Sequence, residues 1–214
     1  MRPALAFGVL LGTLALAHAQ PSKDPDPRYG VTARVKVHLQ TSPKEALKTT
    51  LALIDAGQYA YLAAHVLDPK FVDEMVADRT KAFEAGAERE LAKLRDFQRA
   101  NPDQVQGQDR VPLDPKAFRA VAEQKARDLA FKQFLRDIEE KFREDPQSLK
   151  DLRKILREGK FSEADPTASA GHDTVKGRTV HFKKIGDRWF LENRVAEEPK
   201  KEEEPKKEDP KKGP

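Results

Sequence analysis

The sequence has no cysteine, two methionines, one tryptophan and three tyrosines in 214 residues. Without cysteine there is no disulfide scaffold, cysteine zinc site, iron–sulfur cluster, thiol nucleophile or lipid-bearing N-terminal cysteine. The 11 glycines are scattered, so no glycine-rich phosphate loop is present. The patterns G-x-S-x-G, H-E-x-x-H and E-x-x-H are also missing. Long apolar runs are confined to the first 19 residues, and a mean hydropathy of −0.76 excludes a multi-span membrane protein. A net charge of +4 is small against 40 basic and 36 acidic side chains. It gives no electrostatic footprint for nucleic acid. Nothing in the composition names an activity.

The sequence does carry an N-terminal targeting signal. In Met1–Ala19 one arginine, Arg2, precedes an apolar run from Ala4 to Ala17, and Ala17-His18-Ala19 follows. A short apolar run ending in small-x-small is the pattern of a secretory signal peptide cleaved between Ala19 and Gln20. The expected location is secreted or periplasmic, with no transmembrane segment after cleavage. Gln20–Gly30 holds three prolines and reads as a disordered linker. Val195–Pro214 is almost entirely Lys, Glu and Pro, with six lysines and seven acids. Such a composition buries too little apolar surface to offset its ordering entropy, so it reads as a disordered tail. A single domain over 31–194 remains.

Proline punctuates this domain. Ser42-Pro43-Lys44-Glu45 has a capping serine, proline at the first helical position and glutamate where a capping box places it. Asp68-Pro69, Asp114-Pro115 and Asp145-Pro146 repeat the device, and each aspartate suits the positive end of a helix. The apolar spacing agrees. Leu47, Leu51 and Ile54 share a face, ended by Gly57; Tyr59, Leu62 and Val66 continue in a short piece. From Pro69 a long stripe runs through Val72, Val76, Phe83 and Leu91 to Asn101-Pro102, with a break expected at Gly86. From Pro115 a broad apolar face includes Phe118, Phe131, Phe134, Ile138 and Phe142. A last helix follows Pro146 and is capped by Gly159. Residues 70–158 mix 20 basic and 19 acidic side chains, which describes a solvated helical surface.

After Gly159 the pattern changes to alternation. Arg178–Ile185 and Arg188–Glu192 form a hairpin around a Gly186-Asp187 turn. A strand is expected near Thr167–Val175, and another over Val31–Leu39. The predicted fold class is α+β and helix-rich. Several long amphipathic helices (block 43–158) pack on a small antiparallel sheet (167–194) that ends in a C-terminal β-hairpin.

Two stretches carry a resemblance: Ser42–Pro69 (SPKEALKTTLALIDAGQYAYLAAHVLDP) and Gly177–Asn193 (GRTVHFKKIGDRWFLEN). Together they resemble secreted bacterial proteins of the nuclear transport factor 2-like (cystatin-like α+β cone) superfamily, many of unknown function. The matching stretches total about 45 of the 214 residues. The resemblance implies a long helix packed into a curved sheet around a conical cavity. Its known functions range from isomerases, cyclases and dehydratases to binding and assembly modules. The stretch Phe71–Glu158 is longer than the usual intervening segment, so its helices would fill or lid the cone. No catalytic residue carries over, and fold alone does not fix function.

Each candidate for chemistry has a structural reading beside the functional one. His65 and Asp68 could form an acid/base pair with Tyr59 or Tyr61 as oxyanion donor. Structurally, His65 suits a helix C-terminus and Asp68 caps the next helix. Asp55 is a buried base or an exposed polar-face residue. His172-Asp173 offers two metal ligands where three or four are needed. His181 reads as an exposed strand residue. Trp189 and Phe190 fall on opposite sheet faces. Lys176, Arg178, Lys183, Lys184, Arg188 and Arg194 make the hairpin the most basic part of the domain, through anion binding or as an edge-strand device. We expect no catalytic residues, no metal and no cofactor. Leu51, Ile54, Tyr59, Phe182 and Trp189 would line a cavity for a small apolar ligand. The leading expectation is a non-catalytic binding protein for such a ligand or a protein partner, with a homodimer left open. The alternatives are a chaperone-like or scaffold protein of the envelope and a cofactor-free isomerase or cyclase.

Overall fold

A computed structural model describes residues 25–104 and 110–194. The apolar run at 4–17, the processing site after Ala19 and the Lys/Glu/Pro tail lie outside the described residues.

Five helices are followed by four strands: α1 (Pro43–Asp55), α2 (Tyr59–His65), α3 (Pro69–Ala100), α4 (Pro115–Glu144), α5 (Pro146–Glu158), β1 (Lys160–Ala164), β2 (Thr167–Gly171), β3 (Val180–Ile185) and β4 (Arg188–Glu192). Four helices begin at a proline behind the expected cap. Ser42 Oγ accepts from Glu45 N at 3.2 Å, Asp68 from Lys70 N at 3.1 Å, Asp114 from Ala117 N at 2.8 Å and Asp145 from Ser148 N at 2.9 Å. Each bond satisfies a helical N–H that would otherwise lack a partner. Between α1 and α2 the chain turns at Gly57, whose φ of +66° a residue with a Cβ rarely adopts.

The break expected at Gly86 does not occur. Helix α3 runs through it for 32 residues, a length of about 48 Å. Helices α3 and α4 form a long antiparallel hairpin. Its register is set by Arg79–Asp137 at 2.7 Å and Glu90–Lys125 at 2.6 Å. One end of the hairpin packs on α2 through Ala63, Ala64, Val72, Val76, Ala130, Phe131 and Phe134. Its other end is held by a small cluster of Leu91, Val111, Phe118 and Ala122.

The strands form one antiparallel sheet in the order β1-β2-β3-β4. Its inner face presents Ala168, Ala170, Val180, Phe182 and Trp189 to Ala46 and Leu47 of α1 and Ile155 of α5. The helix-rich α+β class and the terminal hairpin are as predicted. The sheet starts earlier than expected, at Lys160, because β1 carries one aromatic among polar residues and shows no apolar alternation.

Two further expectations are corrected. Val31–Leu39 alternates but is not a strand. Val31 bridges only to Arg28, and Val37 N and His38 N both turn back to Arg34 O at 3.0 Å. The outer edge of β4, where such a strand would pair, is already occupied. Leu191 N donates to Val66 O at 2.9 Å, Asp68 N to Leu191 O at 2.8 Å and Trp189 N to Gln40 O at 2.8 Å. Among the described residues, no strand pairs with the outer edge of β1. The segment read as linker is anchored at its end: Arg28 donates to Ala64 O, Pro69 O and Asp73 Oδ1, and Tyr29 stacks on Phe131.

Candidate functional site

A groove of about 560 Å³ lies where α1, α2, α3, α4, α5 and β4 converge. Its floor is buried and apolar, with Leu62 and Phe134 beside the Thr50 side chain. Thr50 introduces no unmet polarity, because its hydroxyl donates to Ala46 O at 2.8 Å. Phe71, Ile138, Phe142, Leu152 and Leu191 form the walls. Polar groups are confined to the rim: Lys141, Glu144, Asp145, Ser148, Glu192 and Asn193. Asp145 and Ser148 are already committed there, since Ser148 N and Oγ both donate to the Asp145 carboxylate. These bonds hold the Asp145 carboxyl below its usual range. An apolar trough with a charged rim suits desolvation of an apolar body whose polar end stays in water.

The five residues expected to line a ligand cavity do not line this groove. Phe182 is fully buried and Trp189 is 4% exposed in the cluster joining α1, α5 and the sheet. Leu51 and Ile54 are buried on α1, and Tyr59 packs partly buried beside Leu53 and Tyr61. The space between the first helix and the sheet, where the cone resemblance implies a cavity, is occupied by Leu47, Ile155, Phe182 and Trp189. The broad apolar face of α4 supplies part of the groove that does exist, but that pattern does not separate a wall facing a void from one facing a packed interior. Phe134, Ile138 and Phe142 line the groove, while Phe131 on the same helix is buried in the α2–α3–α4 core.

The groups weighed for acid/base chemistry are engaged elsewhere. His65 is 2% exposed and its Nε2–H donates to Val31 O at 2.7 Å. Burial lowers its pKa, and the Arg188 and Arg28 charges add to this, against the pull of the Val31 carbonyl. Asp68 caps α3 and lies 3.8 Å from Lys183. Tyr61 OH accepts from Arg34 N at 2.9 Å. Asp55 is exposed and pairs with Arg153. His172 Nδ1 accepts from Thr174 N at 3.1 Å, and Asp173 pairs with Lys160 at 3.0 Å. Among the described residues, no three His, Asp or Glu side chains converge as a metal site would require. His181 is half-buried and not exposed as expected, because β3 is flanked on both sides, with Ser169 and Glu192 opposite it; Trp189 and Phe190 take opposite faces as predicted.

The basic hairpin is mostly neutralised. Arg178 meets Asp145 and Asp151, Lys184 meets Asp165, and Arg194 meets Glu192. No helix among the described residues is long and apolar enough to cross a membrane. Compared with protein-family models, with curated proteins and with solved structures, the chain shows no significant match to any.

Proposed function

We propose that this is a non-catalytic binding protein that holds a small apolar ligand in the groove between α4, α5 and β4. The observation that carries the reading is the groove itself. About 560 Å³ with aliphatic and aromatic walls falls within the roughly 300–1,000 Å³ of small-molecule sites. The engagement of His65, Asp68, Asp55 and Tyr61 in structural bonds supports binding over chemistry. Export by the N-terminal segment belongs to the same proposal, with the ligand met outside the cytoplasm. So does the nuclear transport factor 2-like resemblance, supported by α1 and α2 packed with an antiparallel sheet.

A second reading, a scaffold or chaperone-like protein, is favoured by one observation. Leu94, Phe97, Leu113 and Val121 are exposed toward the far end of the α3–α4 hairpin, where an apolar surface could receive a client segment.

The test is native mass spectrometry of the full chain, purified gently, combined with titration of a fluorescent apolar dye. A retained mass of roughly several hundred daltons that the dye displaces is the expected result. An apo mass with no dye binding overturns the ligand reading. Dye binding that is lost on Phe97→Ser and unchanged by groove substitutions favours the scaffold.

A further inference from the structure

The 18 residues from Pro27 to Lys44 contain four Lys/Arg, one His and no carboxylate. In a chain with 36 acids this is a long acid-free interval. The part from Arg34 to Leu39 is the segment that alternates like a strand yet does not pair as one.

Its placement is well defined. The turn closed on Arg34 O presents Val37 and Leu39 to solvent, at 70% and 44% exposure. Arg34 and Lys36 are exposed on the same loop, with no ion-pair partner among the described residues. The loop is fixed to the body from beneath. His38 packs on the Tyr61 ring at 4.3 Å, and Leu39 O accepts from Thr49 Oγ1 at 2.7 Å. Arg188 enters the same end of the molecule. It donates to Gln40 Oε1 and to His65 O, and its Nε is buried without a partner. No carboxylate forms an ion pair with Arg188 among the described residues, and the acid whose charge reaches it is Asp187 in the adjoining turn.

Exposed aliphatic side chains beside two cations without ion-pair partners, on an anchored loop, form an amphipathic tip. Two aliphatic side chains are too few for an apolar groove partner. Their setting matches a surface that offers negative charge above and hydrocarbon below.

We infer that the Arg34–Leu39 loop docks the protein on anionic lipid surfaces, with Arg34 and Lys36 toward the headgroups and Val37 and Leu39 at the acyl boundary. The inference stands apart from the groove and survives if the groove binds nothing.

The test is co-sedimentation of the full chain with vesicles of phosphatidylcholine alone and of phosphatidylcholine with 30% phosphatidylglycerol. Binding to the anionic vesicles is expected, weakening as salt rises from 0.1 to 0.5 M. Each removed cation should weaken it about five-fold. Arg34→Gln/Lys36→Gln should therefore lose about 25-fold, and Val37→Asp should reduce binding further. All three side chains are exposed, so circular dichroism should be unchanged. Equal binding by wild type and both variants would place the contact elsewhere, including the N-terminal apolar run, and overturns the inference. So does the absence of binding to anionic vesicles, or vesicle-free self-association that Val37→Asp abolishes.

Discussion

Tyr29 lies face to face with Phe131, ring centroids 4.3 Å apart and planes 8° from parallel. The hydroxyl of Tyr29 donates to Asp73 at 2.6 Å, and the Arg127 guanidinium sits 5.2 Å from the ring centroid. The backbone of Tyr29 has φ +52° and is followed by Gly30 at +76°. This two-residue turn brings Arg28 and Val31 into reciprocal hydrogen bonds. A bulky residue at positive φ is held there by its side-chain contacts.

A test follows from the conflict between that backbone and that side chain. Tyr29→Ala loses the stack and the hydrogen bond while keeping a Cβ at positive φ, and should cost about 2 kcal/mol. Tyr29→Gly loses the same contacts but relieves the backbone, and should cost about 1 kcal/mol less. Urea unfolding of the two variants checks the order. Glycine proving worse than alanine would show that the stack does not hold the turn.

The pH dependence of stability can be argued from His65. Its folded pKa is lowered, first by burial and then by Arg188 and Arg28. The unfolded chain therefore takes up a proton near pH 6.5 while the folded protein resists it. The stability from keeping His65 neutral is present above that pH. It is lost as pH falls toward the folded value. His38 acts in the same direction, through burial and then Arg34. Urea midpoints at pH 7.5, 6.5 and 5.5 should decline, and more shallowly in His65→Gln. Parallel declines in the two proteins would remove His65 from the explanation.

Two glycines should respond oppositely to alanine. A Cβ on Gly159 would meet Ile155 O at 2.3 Å and Gly171 O at 3.0 Å, both backbone atoms. Gly159→Ala should destabilise by about 2 kcal/mol, within the range for overpacking. A Cβ on Gly86 meets nothing within 4 Å. In the exposed interior of α3, Gly86→Ala should stabilise by up to about 1 kcal/mol. Thermal denaturation of both variants decides.

Filling the groove tests the proposed function directly. Ile138→Trp places an indole among Phe71, Phe134 and Leu191 and should abolish dye binding. A stability cost of about 1–3 kcal/mol is expected from the added volume. Unchanged dye affinity in a variant with wild-type circular dichroism would show that the groove is not the site.

The helices were legible because their starts are chemical. Ser42, Asp68, Asp114 and Asp145 each precede a proline and each caps as drawn. The β3–β4 hairpin was legible from Gly186-Asp187 and the flanking alternation. β1 was not, because its pairing is imposed by β2 and its own residues are mostly polar. Val31–Leu39 misled because alternation records a capacity to pair, while the edge it would need is occupied by Gln40 and Val66–Asp68. The groove was hidden for another reason. Leu51, Ile54, Phe182 and Trp189 carry the apolar signal of burial, and that signal does not separate a packed interior from a wall facing a void. The groove walls come from elements far apart in sequence, and no spacing rule joins Phe71 to Leu191.

The capped edge of β4 sets how this protein can associate through its sheet. Open-ended growth needs every copy to offer two strand edges, one for each neighbour. Among the described residues, one side is already used by Gln40 and Val66–Asp68, which leaves the side at β1. Two copies could join there, β1 to β1, and the pair would then have no edge left to extend. Through the described strands, association by this route stops at two, so the arrangement that denied Val31–Leu39 a place in the sheet also keeps these strands from seeding a fibre.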